Sequence, residues 1–202
     1  VDDMGIDTDY IVYAIAINSI TADETITLSN VNTSDVHLIL PGTNNNVTIQ
    51  GNVTKYLYIE IPNGEIQNLT LNVPNTTAHV NGELVNVAAT TASSTLYITG
   101  GKVTNLVVNQ GNVVVEKGAA LDNVNNQSEE VITVTLADGV VEPQVAENNV
   151  NIETIKQEVT TLDELKAALA KLTTVTLGED IIAEEIITIN RDIVFDGNGH
   201  TL

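Results

Sequence analysis

The chain has 202 residues, of which 27 are Asp or Glu and only 7 are Lys or Arg, so its formal net charge is −20 at pH 7. A surface of this charge repels phosphate backbones and anionic lipids, so we expect no nucleic-acid binding and no membrane insertion. Hydrophobic residues make up 43% of the chain, aromatic residues only 3%, and cysteine is absent. These proportions indicate a folded protein with an aliphatic core, and they exclude disulfides and thiolate metal sites.

The first apolar stretch, residues 10–20, is rich in β-branched side chains, and its pattern leaves both a helix and a strand open. After it the chain is rich in Val, Ile, Thr and Asn, which favours strands and tight turns over helices. We therefore expect a mostly β protein.

A five-residue pattern recurs between residues 65 and 124: a charged or small residue, an aliphatic residue, any residue, Asn, and another aliphatic residue. Its asparagines are 18, 19 and 18 positions apart, at Asn68, Asn86, Asn105 and Asn123. A constant short period indicates stacked units, because one such unit buries its apolar face only against its neighbours. Glycines follow nearly the same period, at Gly64, Gly82, Gly100 and Gly118. They predict that one corner of each coil needs a backbone conformation that glycine adopts readily.

Apolar segments with strand-like alternation separate the pentapeptides, so every coil has at least two strands. These segments are residues 78–80, 96–98, 113–115 and 131–136. The sequence therefore predicts an all-β fold, a parallel β-solenoid with coils of about 18 residues. Left-handed β-helices need an apolar residue at every sixth position, but the series that starts at Ile66 reaches Asn72 and Thr90. We therefore expect the right-handed form, which parallel crossovers usually adopt.

A longer repeat divides the chain. Three pairs of segments match at offsets of 149, 150 and 146 residues: 25–28 with 174–177, 35–39 with 185–189, and 46–52 with 192–198. We therefore predict a complete solenoid module at 1–145, a linker at 146–155, and the capping helix and first coil of a second module at 156–202. A last strand edge without a neighbour would seek another chain, so we expect self-association through this C-terminal edge.

Residues 161–172 are predicted to form an amphipathic helix that caps the second module. Thr161 and Glu164 have the spacing of a capping box, and Lys171 lies at the end of the helix where the backbone dipole favours a cation. One face of this helix is lined by Leu162, Leu165, Leu169 and Leu172.

Two parts of the chain resemble known proteins. Residues 161–165, Thr174–Leu177 and the run Phe195-Asp196-Gly197-Asn198-Gly199-His200-Thr201-Leu202 resemble the opening coil of pectin-lyase-like right-handed parallel β-helix proteins. Residues 64–124 are similar to the coils of large bacterial surface proteins described as adhesin-like. The resemblance implies a secreted or cell-surface β-helix, often within a multi-module chain, and it does not by itself imply an enzyme.

Two sets of side chains are candidates for a shared role. The four repeat asparagines would stack along the solenoid axis as a structural ladder of amide hydrogen bonds. Tyr56, Tyr58 and Tyr97 could form an exposed aromatic row that stacks against sugar rings, or else a ladder that only stabilises the outer face of the sheet. No catalytic site, metal site or cofactor site is expected.

Enzymatic alternatives lack the residues that their chemistry needs in the first module. A polysaccharide lyase needs acidic residues that bind Ca²⁺ and a basic residue for proton abstraction, but the chain has one arginine, Arg191, which lies in the second module. A glycosidase needs two opposed carboxylates, and no such pair stands out. We therefore expect an exported, non-catalytic surface module that serves as an adhesin-like stalk or binds a glycan or a surface protein. The alternative is part of a carbohydrate-active enzyme whose active site lies beyond Leu202.

Overall fold

A computed structural model describes residues 12–16, 23–31, 35–43, 45–53, 56–89, 95–146 and 149–202. It is a parallel β-solenoid of about eight turns with one short helix, which confirms the predicted architecture. Every described strand pair is parallel, because each coil brings the chain back to the same side in the same direction.

Each coil contributes a strand segment to each of two stacks. The first strand stack consists of β1 (Val12–Ala16), β3 (Asp35–Ile39), the N-terminal parts of β5 (Tyr56–Asn72), β6 (Thr77–Ala89) and β7 (Thr95–Val108), then β8 (Asn112–Val115), β10 (Ile132–Ala137) and β12 (Val150–Ile155). The second strand stack consists of β2 (Glu24–Val31), β4 (Asn46–Val53), the C-terminal parts of β5, β6 and β7, then β9 (Ala119–Asn126) and β11 (Gln144–Val145). A separate parallel sheet holds β13 (Glu158–Val159), β14 (Thr174–Leu177) and β15 (Val194–Asp196).

The core runs along the axis between the two stacks and is filled by aliphatic side chains from every described coil. In β5 the buried residues Ile66, Leu69 and Leu71 break the two-residue alternation of a straight strand. Both Ile66 and Leu69 point inwards because the chain bends at Gln67 and Asn68, and the repeat asparagines therefore mark a corner of each coil.

The glycine corner is displaced by one residue in one coil. Gly64, Gly82 and Gly118 have positive φ, but in the coil between them it is Gly101, and not the predicted Gly100, that has a φ of 70°. A Cβ atom at Gly101 would lie 2.2 Å from the carbonyl oxygen of Gly82 in the preceding coil. Close backbone stacking as well as backbone conformation therefore requires glycine here.

Helix α1 (Leu162–Lys171) confirms the predicted capping helix. The Thr161 hydroxyl accepts a hydrogen bond from the Glu164 backbone N–H, and the Glu164 carboxylate in turn accepts one from the backbone N–H of Thr160. Within the stretch 10–20, where helix and strand were both open, Val12–Ala16 is a strand, and the other residues lie outside the described part of the chain. No helix among the described residues is long and apolar enough to span a bilayer.

Strand pairing can be compared at the positions of the longer repeat, while the division into two modules stays a prediction. In the first module Thr25 pairs with Thr48, and in the C-terminal part Thr174 pairs with Val194, which are the equivalent positions at offsets of 149 and 146. Residues 150–155, within the segment expected to be a linker, form β12 and pair with β10. Residues 185–189, the counterpart of β3, form no strand. Apolar side chains are exposed in this part of the chain, among them Ile182, Ile186 and Val194, and self-association there stays a prediction.

Candidate functional site

A column of stacked rings runs along the outer face of the first strand stack. Strand pairing places His37, Tyr58, His79 and Tyr97 opposite one another in consecutive coils. Their ring centroids are 4.4, 4.6 and 4.8 Å apart, with interplanar angles of 19°, 20° and 8°. These distances are close to the spacing of hydrogen-bonded strands, so the backbone holds the rings in stacking contact. Tyr56 lies beside the column, 6.1 Å from the ring of Tyr58.

The exposure of the three predicted tyrosines differs. Tyr56 and Tyr58 are partly exposed, as is His37, whereas only 7% of the surface of Tyr97 is accessible. Tyr97 packs with the C-terminal part of the chain, in a cluster with Leu165 of α1. The predicted row of three exposed tyrosines is therefore reduced to Tyr56 and Tyr58, because sequence alternation gives the outward direction of Tyr97 but not the element that covers it. We call the partly exposed surface of His37, Tyr56 and Tyr58 the aromatic platform.

Arg191 holds the C-terminal part against the solenoid. Its Nη1 donates a hydrogen bond to the Tyr97 hydroxyl at 3.3 Å, and its Nε and Nη2 donate to the Leu169 carbonyl at 3.1 and 2.9 Å. Nη2 also donates to the carbonyl of Leu172. The guanidinium thus satisfies carbonyl groups at the C-terminal end of α1, where a cation is favoured. The only arginine of the chain serves as a structural bridge in this arrangement.

Glu116 makes a second contact between the two parts. Its Oε1 accepts hydrogen bonds from the backbone N–H and the hydroxyl of Thr173, at 2.6 and 2.9 Å. Its Oε2 is buried and has no hydrogen-bond partner among the described residues. Burial raises the pKa of the Glu116 carboxyl above its usual value, against the opposite effects of the Thr173 hydrogen bonds and the Arg191 charge.

His79 lies within the column and is also buried, with 8% of its surface accessible. Its Nε2 has no hydrogen-bond partner in the described part of the chain. Burial lowers the pKa of His79 to about 4, and the charges of Arg191 and His37 act in the same direction. His79 is therefore neutral at pH 7 and acts as an aromatic ring of the column.

The repeat asparagines form a hydrogen-bonded row at the corner of the second strand stack. The side-chain amide of each donates to the amide oxygen of the one before, at 2.9 Å from Asn86 to Asn68, 3.0 Å from Asn105 to Asn86, and 3.1 Å from Asn123 to Asn105. Asn68 donates in the same way to Asn46 in the preceding coil. The row is thus a structural ladder in its geometry, and it extends one coil further than the repeat predicts.

Two contributions to these arrays were missed from the sequence. His37 and His79 were not included in the predicted aromatic row, and Asn46 was not included in the predicted ladder. His37 lies 21 positions before Tyr58 and Asn46 lies 22 positions before Asn68, so the 18-residue period leaves both unaligned, although it does align His79 with Tyr97. Coils of 21 and 22 residues near the N-terminus align His37 with Tyr58 and Asn46 with Asn68. Among the described residues, no group of three or more His, Asp or Glu side chains is arranged to hold a metal ion.

Comparison of the chain with protein-family models, with curated proteins and with solved structures found no match. The parallel β-solenoid therefore rests on the structure itself, and the resemblance to pectin-lyase-like and adhesin-like proteins stays a hypothesis.

Proposed function

We propose that the chain is a non-catalytic module of an exported surface protein, and that its solenoid is a rigid scaffold that binds a glycan through the aromatic platform. The observation that carries this proposal is the platform itself, in which Tyr56 lies beside the column of rings, Tyr58 belongs to the column, and both remain partly exposed. His37 and His79 cover both faces of Tyr58, so Tyr58 offers its ring edge and hydroxyl, whereas Tyr56 lies outside the column and offers apolar ring surface to the C–H groups of a sugar. The fixed strand spacing orders the rings before binding, which lowers the entropic cost of association.

The rigidity of the scaffold is supported by features that repeat in successive coils. The asparagine ladder and the aliphatic core each connect one coil to the next, so that the stack behaves as one body. Such a body suits a stalk that holds a binding surface at a defined distance. Export is supported by the Asn- and Thr-rich, Lys-poor composition.

The charge of the chain narrows the class of ligand. A net charge of −20 repels polyanions, so the proposal favours neutral glycans over acidic polysaccharides. A protein partner that binds the platform through its own apolar side chains is the second candidate.

A glycan array tests the proposal with the wild-type chain and two double variants. We expect binding of one or more neutral glycans, loss of that binding in Tyr56→Ala/Tyr58→Ala, and its partial retention in Tyr56→Phe/Tyr58→Phe, because the phenylalanines keep the apolar rings and remove only the two hydroxyls. Wild-type binding that survives the alanine substitutions would place the ligand elsewhere. No binding to any glycan would overturn the glycan role and direct the search towards protein partners.

A further inference from the structure

A polar row runs beside the aromatic column along the same outer face. Strand pairing aligns Thr95 with Asn112, Asn112 with Thr133, and Thr133 with Asn151. All four side chains are partly or fully exposed. The side chains of Thr95, Asn112 and Thr133 form no hydrogen bond to another described residue, so their hydroxyl and amide groups are available to a ligand.

This row leads into a cleft of about 330 Å³ between the outer face and the C-terminal end of α1. Thr95, Asn112 and Thr133 line the cleft, and the nearly buried Tyr97 and Val114 add a small apolar surface. The opposite wall comes from Lys171 at the end of α1. The cleft is thus formed jointly by the solenoid and by the C-terminal part of the chain. Its volume lies at the small end of the range for ligand sites.

The wall of the cleft carries both a donor and an acceptor. Lys171 Nζ donates to Glu153 Oε1, and the Thr135 hydroxyl donates to the same oxygen at 2.6 Å. The ammonium group has three N–H donors, so the ion pair leaves Lys171 able to donate to a ligand as well. Hydroxyl, amide, ammonium and carboxylate groups around a small apolar surface match a sugar residue, which has many hydroxyls and an apolar ring face.

We infer that this cleft is a subsite for a neutral sugar residue of the glycan that stacks on the aromatic platform; the inference rests on the proposed function. Three to four strand spacings, about 14–19 Å, separate Tyr58 from Val114 and Thr135 on the cleft floor. The ligand is therefore an oligosaccharide, since a single sugar cannot reach both places. The carboxylate of Glu153 and the charge of the chain select against uronic acids. A bound sugar contacts the solenoid and Lys171 together, so it also strengthens the junction between the two parts.

Titration with neutral hexasaccharides of glucose, mannose, xylose and N-acetylglucosamine, monitored by NMR, tests the inference. We expect at least one probe to shift the amide signals of Thr95, Asn112, Thr133 and Lys171 together with those of the platform. Thr95→Val/Thr133→Val removes two hydroxyls without changing side-chain shape, and we expect it to weaken binding roughly tenfold. The matched control is Thr48→Val/Thr70→Val, two partly exposed threonines on neighbouring strands of the second strand stack, away from the cleft. This control should bind like the wild type.

The outcomes separate the inference from the function on which it rests. Binding that Tyr56→Ala/Tyr58→Ala abolishes but Thr95→Val/Thr133→Val leaves unchanged would overturn the cleft subsite and keep the platform. Equal weakening in the cleft variant and in its control would also overturn the subsite. Absence of binding to every probe would remove the subsite, and the glycan array then decides separately whether the platform binds other glycans.

Discussion

His79 shows how one residue of the column depends on its surroundings. It is stacked between Tyr58 and Tyr97, and its ring planes lie within 20° of both neighbours. Water reaches little of this ring, so a proton on the imidazole would be buried beside the Arg191 cation. The folded protein therefore holds the neutral form, and this preference links protonation of His79 to the stability of the fold.

We predict that the free energy of unfolding contains a contribution from His79 that is lost as the pH falls from 6.5 to about 4. In this window the unfolded chain binds a proton at His79 with its ordinary pKa of 6.5, whereas the folded chain, with a pKa of about 4, does not. The lost stability is about 3 kcal/mol at most. Urea unfolding at pH 7 and at pH 4 measures it in the wild type and in His79→Phe, which keeps an aromatic ring without a titrating group.

Comparing the wild type with His79→Phe separates the contribution of His79 to the free energy of unfolding from the contributions of other titrating groups. The contribution of Glu116 to the pH dependence of stability has the opposite sign. Its raised carboxyl pKa makes the folded state gain stability as the pH falls through that pKa. This contribution is present in both proteins and cancels in their difference. The prediction is wrong if the stabilities of the wild type and His79→Phe change in parallel between pH 7 and pH 4.

At the scale of the strands, the repeated corner combines a bend with a ladder. The bend at Gln67 and Asn68 lets two apolar residues three positions apart both enter the core, as Ile66 and Leu69 do. It also turns the asparagine side chains towards the coils above and below, where each amide donates to one neighbour and accepts from the other. A middle member of the ladder therefore supports two coils.

We predict that Asn105→Ala lowers the free energy of unfolding by about 1–2 kcal/mol, because it removes two amide hydrogen bonds and leaves the Asn86 oxygen without its donor. Urea denaturation gives this value directly. Asn125→Ala is the matched control, since Asn125 is also a partly exposed strand residue but forms no side-chain hydrogen bond to another described residue. It should change stability by no more than about 0.5 kcal/mol. Equal losses in the two variants would show that the ladder adds nothing beyond the strand.

The whole molecule consists of a solenoid and a C-terminal part that packs against its side. The junction combines an apolar cluster with two buried polar contacts, one through Arg191 and one through Glu116. The carbonyls at the end of α1 and the Tyr97 hydroxyl converge on one planar guanidinium, so this side chain connects the helix directly to the solenoid. The orientation of the C-terminal part therefore depends on this side chain.

We predict that Arg191→Lys loosens the C-terminal part while the solenoid stays folded. A lysine ammonium lacks the planar fork that reaches several carbonyls and the tyrosine at once. We expect a loss of about 2 kcal/mol, seen as roughly 30-fold faster hydrogen exchange in α1. Lys166→Ala is the control, because it removes only the exposed ion pair with Glu185 and should leave exchange nearly unchanged. Faster exchange throughout the solenoid in Arg191→Lys would contradict a local anchor.

Much of the architecture could be predicted because it is periodic. The spacing of Asn68, Asn86, Asn105 and Asn123 indicates stacked coils, and the capping box of Thr161 and Glu164 marks the start of α1. The candidate site was less accessible to prediction. His37 and Tyr58 are 21 residues apart rather than 18, so a single period does not align them, whereas His79 lies 18 positions before Tyr97 and could be aligned with it from the sequence.

The sequence by itself determined the class of fold, the two strands of each coil, the spacing of the asparagine ladder, and the capping helix. These features follow from local patterns of apolar, asparagine and glycine residues, which act between neighbouring coils at a constant spacing. Only the tertiary structure decided that α1 and Arg191 cover Tyr97, that Glu116 reaches Thr173, 57 positions away, and that a cleft lies between the C-terminal end of α1 and the sheet. These contacts join residues with no shared period, because they depend on how the C-terminal part packs sideways on the solenoid.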